Sequence, residues 1–174
     1  DHLDLHSFPT RRSSDLSKSD EFRKILRYLH AHQLNKNIVV FLEDYEQLEE
    51  LKIIVEEFKF RAKNYDANTP RDERERIIKQ IGQGDIDLVF TKRCWDQGVD
   101  IPFLKVGIII SSVSNPRQYI QRIGRLLRLY PGKDHVYVFD IIVAPPADDE
   151  VKPFNCEKIR QDYLSQYAQN STEL

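Results

Sequence analysis

The chain has 174 residues, of which 26 are lysine or arginine and 28 are aspartate or glutamate, so its formal charge is −2. This balance gives no overall attraction to a nucleic acid or an anionic membrane, and any basic surface must therefore be local. The two cysteines, Cys94 and Cys156, have no metal-binding spacing. This excludes a zinc module or a disulfide scaffold and indicates a reducing, cytoplasmic compartment. The longest apolar runs, which begin at Ile38 and Val106, are too short to cross a bilayer, so no membrane partner is expected.

The first sixteen residues differ from the rest of the chain. Residues 6–16 read HSFPTRRSSDL, which resembles one translated frame of a sequencing-adapter oligonucleotide. The alternative is an ordinary polar tail rich in serine and arginine, and such a tail would also be disordered. We expect residues 1–16 to be this adapter-derived or disordered tail and the chain to be a fragment. Residues 17–147 would form one domain, and residues 148–174 an acidic, proline-containing linker with a C-terminal helix.

From Ser17 onward, helical and strand patterns alternate. Apolar residues at helical spacing follow Ser19, and the next run, IVVFL at 38–42, is typical of a strand buried on both faces. Residues 44–58 predict a second helix and residues 60–65 a weaker strand. A third helix is predicted to begin at Thr69-Pro70, with Thr69 as its N-cap, and to end at Gly82-Gln83-Gly84. Later strands are predicted at 85–90, 106–110 and 136–142, and later helices over 116–129 and 155–168.

This alternation predicts an α/β domain of three layers, with a mostly parallel central sheet and helices on both faces. Functional side chains in such sheets lie beyond the carboxyl ends of the strands. We therefore expect the chemistry in the loops that follow Leu42, Phe90, Ile110 and Ile142. The loop after Phe90 reads TKRCWDQGVDIP, and taken alone it is explained equally well by a surface turn.

The helix predicted over 116–129 has an unbalanced charge. Five basic residues and no acidic one lie between Ser112 and Lys133; they are Arg117, Arg122, Arg125, Arg128 and Lys133. Helical spacing places Gln121, Arg125 and Arg128 on one face. It places Ile120, Ile123 and Leu127 against the sheet, with Gly124 between them to allow close packing. Two arginines one turn apart can clamp a phosphoryl group. The alternative is a solubilising face, or a partner for the acidic helix at 43–57.

Taken in order, these segments resemble the second RecA-like lobe of superfamily 2 helicases. GVDIP at 98–102 resembles motif V, and QRIGRLLR at 121–128 resembles motif VI. VVFLEDYEQLEEL at 39–51 resembles motif IV with the helix after it, and ANTPRDERERII at 67–78 resembles the segment between motifs IV and V. Motif VI and the following VYVFDIIVAPP are most similar to the duplex-translocating branch, which includes repair helicases and restriction-enzyme motor subunits.

The resemblance implies roles for single residues. Arg128 matches the arginine finger, and Arg125 matches its companion phosphate-binding arginine. The positions that match nucleotide-binding residues are Gln121, Gly98 and Asp100. The positions that match nucleic-acid contacts are Phe41, Arg74, Thr91 and Lys92, with Arg93 as an alternative because one extra residue separates Thr91 from Gly98. No metal ligand is implied.

The resemblance also implies ATP and Mg²⁺, both held mainly by an N-terminal lobe. This chain has no G-x-x-x-x-G-K-[ST] loop and no acidic strand end, so it would be inactive alone. The implied function is the C-terminal lobe of an ATP-dependent DNA helicase or translocase. Its partners would be nucleic acid, DNA rather than RNA, and the N-terminal lobe of the same parent chain. The alternative is a stand-alone nucleic-acid-binding or regulatory lobe without ATPase activity.

Overall fold

The structure, a computed structural model, describes residues 2–11, 15–42, 45–66, 68–92, 101–110, 121, 124–126, 128, 130–144, 162 and 170–172. Three helices lie within these residues: α1 (Asp15–Ala31), α2 (Tyr45–Glu57) and α3 (Arg71–Gln83). The strands described are β1 (His2–Arg11), β2 (Ile38–Leu42), β3 (Ala62–Asn64), β4 (Leu88–Lys92), β5 (Val106–Ile109), β6 (His135–Ala144) and β7 (Asn170–Thr172). They form one sheet in the order β3-β4-β2-β5-β6-β1-β7, and every pairing is parallel.

Both faces of the sheet are buried. In β2, Ile38, Val40 and Leu42 join the core cluster that contains the apolar faces of α1 and α2. Val39 and Phe41 point the other way and join the cluster that contains the buried residues of α3. Alternate side chains of a strand point to opposite faces, so a strand covered on both sides is apolar throughout. The predicted three-layer α/β fold, with helices on both faces, is confirmed.

All three helices end in the same way. The residue that closes each helix has a left-handed backbone: Gln33 with φ 58°, Lys59 with φ 60° and Gly84 with φ 78°. The next residue donates its N–H to a carbonyl five positions earlier, in the bonds Leu34 to Leu29 (2.9 Å), Phe60 to Val55 (3.1 Å) and Asp85 to Gln80 (2.9 Å). This is the Schellman pattern, which satisfies carbonyls that the helix leaves open. The predicted end of α3 at Gly84 is confirmed.

The start of α3 differs from the prediction. Its N-cap is Pro70, which makes no side-chain cap bond, and Thr69 lies one residue outside the helix. The Thr69 hydroxyl instead accepts a hydrogen bond from the Asp66 N–H at 3.0 Å. Thr69 therefore closes the turn before the helix and does not cap the helix itself.

The two ends of the chain add strands that the patterns did not predict. Residues His2–Arg11 form β1, which pairs with β6 from His2–His135 to Arg11–Ala144. This pairing needs no particular side chains, because ladder hydrogen bonds come from the main chain of any extended segment, and the assignment of residues 1–16 to a tail stays a prediction. The adapter origin of this segment and the domain boundaries stay predictions. Of the helix predicted over 155–168, the structure describes Asp162, which is helical. None of the described helices is both long and apolar enough to span a bilayer.

Candidate nucleotide and nucleic-acid site

The carboxyl edge of the sheet brings basic and aromatic side chains together. Thr91 and Lys92 are the last residues of β4, and Tyr45 is the first residue of α2, which follows the neighbouring strand β2. The Lys92 Nζ lies 3.8 Å from the centroid of the Tyr45 ring. A cation at this distance from an aromatic face is attracted by the ring quadrupole. Tyr45 therefore holds the Lys92 ammonium at the edge where we expected nucleic-acid contacts.

Hydrogen bonds connect Tyr45, and through its ring Lys92, to the start of α3. The Tyr45 hydroxyl donates to Asp66 Oδ2 at 3.1 Å, and this bond, together with partial burial, raises the pKa of Tyr45. Asp66 Oδ1 accepts the N–H of Thr69 at 3.1 Å, and Arg74 Nε donates to the Thr69 carbonyl at 2.8 Å. We call Tyr45, Asp66, Thr69, Arg74 and Lys92 the carboxyl-edge cluster.

Two members of this cluster were missed by the sequence analysis. The pattern singled out Arg74 and Lys92, which the structure brings into one network, but it did not single out Tyr45 or Asp66. Their positions in the sequence could have identified them, because Tyr45 comes three residues after the carboxyl end of a buried strand. Asp66 lies in a similar place, two residues after β3 ends at Asn64.

The two other candidates for nucleic-acid contact are buried. Thr91 is 2% exposed, and among the described residues its Oγ1 has no hydrogen-bond partner. A buried hydroxyl without a partner is costly, so Thr91 is suited to accept or donate a bond when a polar group approaches. Phe41 is 1% exposed and packs in the α3-side core. The burial of the Phe41 side chain is explained by its place in this core, and its assignment as a nucleic-acid contact stays a prediction.

The motif VI segment packs on the sheet through a residue that we did not assign to the apolar stripe. Gln121 and residues 124–126 are helical; Gln121 is exposed, Arg125 half-buried and Arg128 exposed. Leu126 is fully buried. A Cβ on Gly107 of β5 would overlap Leu126 Cδ1, whereas a Cβ on Gly124 would meet no atom within 4 Å. The glycine that allows close packing is therefore Gly107, which corrects our prediction for Gly124.

Lys133 is also a correction. We counted it among the basic residues that face an anion, but it is only 7% exposed. Its Nζ donates to the carbonyl oxygens of Pro102 at 2.9 Å and Arg128 at 3.1 Å, and also to that of Leu126. The end of motif VI therefore lies directly beside the exit of motif V.

This contact lies at the amino edge of the sheet. Pro102 comes four residues before β5, and Lys133 comes two residues before β6. The Arg128 carbonyl accepts a bond from the Lys133 ammonium, so the main chain of Arg128 lies at this same edge. The carboxyl-edge cluster lies at the opposite edge, at the end of β4, at the start of α2, and between β3 and the first turn of α3. Gly98 and Asp100, like Arg93, Ile120, Ile123 and Leu127, lie outside the described residues.

The described residues fit part of an ATP and Mg²⁺ site. Arg125 and Arg128 have the charge and donor geometry to bind phosphate oxygens. Within the described ranges, no three His, Cys, Asp or Glu side chains come together to hold a metal ion. The donor set of the described residues therefore suits the phosphates and offers no cluster of carboxylates for Mg²⁺.

The fold and the paired motifs define a RecA-like α/β lobe, a class in which one sheet presents arginines to a nucleotide held between two lobes. Residues 18–130 match the model of the helicase conserved C-terminal domain. The chain belongs to this family, and it is the C-terminal RecA-like domain of a superfamily 2 helicase.

Relatives and solved structures agree with this assignment. The chain is 30% identical over 112 residues to the DNA 3′-5′ translocase XPB2 of Sulfurisphaera tokodaii, covering 64% of this chain and 24% of that protein. It is 28% identical over 127 residues to the ATP-dependent RNA helicase dbp6 of Schizosaccharomyces pombe, covering 69% and 21%. The C-terminal domain of the DEAD-box protein Dbp5 has the same fold, with a TM-score of 0.70 at 17% identity over 99% of this chain and 90% of that one. The chain thus spans about a quarter or less of the length of these two curated relatives.

Proposed function

We propose that this chain is the C-terminal lobe of an ATP-dependent DNA helicase or translocase. Arg128 would act as the arginine finger, and Arg125 would bind a phosphate oxygen beside it. The observation that carries the proposal is the contact between motifs V and VI, in which the carbonyls of Pro102 and Arg128 bind the same nitrogen of Lys133. This contact fixes the arginine-bearing helix against the loop that is expected to reach the nucleotide.

ATP and Mg²⁺ would be held mainly by an N-terminal lobe, where the metal neutralises charge on the phosphates. The contribution of this chain is to orient cationic donors toward the γ-phosphate and to exclude water when the two lobes close. An arginine finger typically contributes about 10³–10⁵ in rate, and only on a phosphate that is already held elsewhere. Gln121, Gly98 and Asp100 would bind the nucleotide and couple it to the cleft.

The first experiment measures DNA-stimulated ATP hydrolysis by the parent protein that joins this chain to its N-terminal lobe. Arg128→Ala should lower kcat by at least about 10³-fold. The matched control is Arg27→Ala, because Arg27 is an exposed arginine on α1, distant in sequence from both motifs. Wild-type turnover in Arg128→Ala would refute the arginine-finger role.

The carboxyl-edge cluster is the proposed contact with the nucleic-acid backbone. Lys92 and Arg74 supply charge, Tyr45 orients Lys92, and the Thr91 hydroxyl supplies a hydrogen bond. Binding of this kind follows phosphate contacts and weakens steeply with salt. Contact with DNA is supported by the resemblance of motif VI to that of duplex translocases, and one relative is named a DNA translocase. Another relative is named an RNA helicase, so RNA is the competing substrate.

The second experiment measures binding of this chain to labelled DNA and RNA duplexes of the same sequence at several salt concentrations. Lys92→Met should weaken binding and lower the slope of log K against log salt by about 0.9, the value for one phosphate contact. The control is Lys52→Met, which removes a lysine whose partner is Glu49 on the same helix. An unchanged slope in Lys92→Met would refute the backbone contact, and tighter binding to RNA would refute the choice of DNA.

The alternative function is a nucleic-acid-binding or regulatory lobe without hydrolysis. It is favoured by one feature of the sequence, the lack of a phosphate-binding loop in this chain. The same two experiments separate the functions, because the alternative predicts salt-dependent binding together with no ATP hydrolysis by the parent protein. A cytoplasmic location, inferred from the number and spacing of the two cysteines, is part of the main proposal.

A further inference from the structure

A tight turn brings Lys133 under the end of the motif VI helix. The segment Tyr130-Pro131-Gly132-Lys133 closes with a hydrogen bond from the Lys133 N–H to the Tyr130 carbonyl at 2.9 Å. Gly132 has φ 77°, which a type II turn requires at its third position, and Pro131 supplies the fixed φ that suits the second. The turn reverses the chain just after the arginines, so the next side chain points back toward them.

The Lys133 ammonium then contacts three carbonyls on two segments of the chain. Leu126 and Arg128 belong to the last turn of motif VI, and Pro102 ends motif V. An ammonium has three N–H donors, so three carbonyl oxygens match its donor count. Carbonyls at the end of a helix have no partners within the helix and carry partial negative charge, which favours a cation there. A buried lysine with this set of partners fixes the position of one segment relative to the other.

The burial of Lys133 argues against a role in binding a ligand directly. Its side chain is buried, and the oxygens that it contacts are main-chain groups inside the fold. Lys105 provides a contrast at the same edge, because its Nζ donates at 2.9 Å to the carbonyl of Gly132 in the turn itself. Among the described residues, the side-chain hydrogen bond of Lys105 therefore goes to the turn itself.

We propose that Lys133 is a positioning residue for the arginine finger. This inference rests on the proposed function. By holding the main-chain carbonyl of Arg128 against that of Pro102, Lys133 sets where the Arg128 guanidinium can reach when the nucleotide is bound. Displacement of a reacting or stabilising group by about 1 Å can cost about 100-fold in rate. Loss of the Lys133 ammonium should therefore lower turnover, although Lys133 itself contacts no substrate.

The test is a double-mutant cycle on ATP hydrolysis by the parent protein. Lys133→Met keeps the length of the side chain and removes the ammonium, and it should lower kcat by about 10–100-fold with less than about threefold change in KM for ATP. In an Arg128→Ala background the same change should lower kcat by less than about threefold, because the group that Lys133 positions is gone. A merely structural role would lower kcat by the same factor in both backgrounds, which would overturn the inference. Lys52→Met, which removes a lysine whose partner is Glu49 on the same helix, is the matched control and should leave kcat unchanged.

A second variant keeps the test decisive if Lys133→Met fails to fold. Lys133→Arg retains the charge but spreads its donors over a planar fork, so one nitrogen can no longer contact all three carbonyls. It should lower kcat severalfold when Arg128 is present. In the Arg128→Ala background it should lower kcat by a smaller factor, as expected for Lys133→Met. Equal effects in both backgrounds would again overturn the inference.

The outcomes also separate this inference from the proposed function. Unchanged turnover in Arg128→Ala would defeat the proposed function. A large loss in Arg128→Ala together with no loss in Lys133→Met would defeat the positioning role alone. Deuterium exchange of this chain gives a readout that needs no ATPase activity. Lys133→Met should speed exchange in both residues 101–106 and residues 124–130, and protection equal to wild type would contradict the contact.

Discussion

Gly107→Ala tests how the motif VI segment is held on the sheet. Gly107 lies in β5 with Leu126 packed over it, and an added Cβ would overlap Leu126 Cδ1 while lying 3.6 and 3.7 Å from Cγ and Cδ2. Leu126 is fully buried, so it cannot rotate away without displacing other core atoms. The substitution should therefore push the arginine-bearing segment away from the sheet.

The expected loss of stability follows from two opposing effects. Overpacking a core by one methyl group typically costs about 1–3 kcal/mol. Replacing a glycine in a strand by alanine returns roughly 0.5–1 kcal/mol, since the unfolded chain loses freedom. The net change should be a loss of about 1–2 kcal/mol, which lowers the Tm of a domain of this size by roughly 2–8 °C.

Urea unfolding of this chain measures the effect, and Gly124→Ala is the matched control. Gly124 is helical and exposed, and a Cβ there meets no atom within 4 Å. Gly124→Ala should stabilise the protein by roughly 0.5–1 kcal/mol, the difference in helix propensity. In a Leu126→Ala background, Gly107→Ala should become neutral or stabilising because the overlapping atom is absent. The same cost in both backgrounds would refute the packing argument, as would a destabilised Gly124→Ala.

Two further predictions concern parts of the fold away from the arginines. Gly84→Ala should lower stability by about 1–2 kcal/mol in thermal unfolding, because its φ of 78° is strained for any residue with a Cβ; an unchanged Tm would contradict the left-handed cap. Burial raises the pKa of the Asp87 carboxyl. Three hydrogen bonds from Arg61 to this carboxylate outweigh burial, so the pKa is lowered overall. A lowered carboxyl pKa stabilises the fold above the unfolded value near 3.9, and this stabilisation is lost as the pH falls through the folded pKa. Stability should therefore decrease below about pH 4, and Asp87→Asn should flatten that decrease in urea unfolding followed from pH 6 to pH 3.

The sheet could be predicted from the sequence because its strands are buried on both faces. The runs at 38–42, 106–110 and 136–142 are apolar apart from Gly107 and Asp140, and the structure has strands at Ile38–Leu42, Val106–Ile109 and His135–Ala144. The ends of α1 and α2 could not be predicted in the same way. These two helices end at Gln33 and Lys59, whose backbones are left-handed. Glycine is the usual residue in this conformation, and the sequence has a glycine at the end of α3 only.

The site was less predictable because its contacts are between distant segments. Lys133 was assigned to an anion-facing surface from its charge, and burial reverses that interpretation. Its partners are main-chain oxygens, which carry no signal in the sequence. Phe41 was assigned from a motif position, and the alternation of side chains along β2 places it in the core. Charge and motif positions indicate which residues lie near a site, whereas the direction of each side chain depends on register and packing.

The helix closures at Gln33 and Lys59 have a practical consequence for engineering. Each of these residues bears a Cβ in a conformation that costs about 1–2 kcal/mol relative to glycine. Both lie on the α1 and α2 side of the sheet, on the opposite face from Leu126 and the core of α3. Glycine at these two positions would thus raise thermostability by relieving backbone strain. It would not alter Arg125, Arg128, Lys133 or the carboxyl-edge cluster.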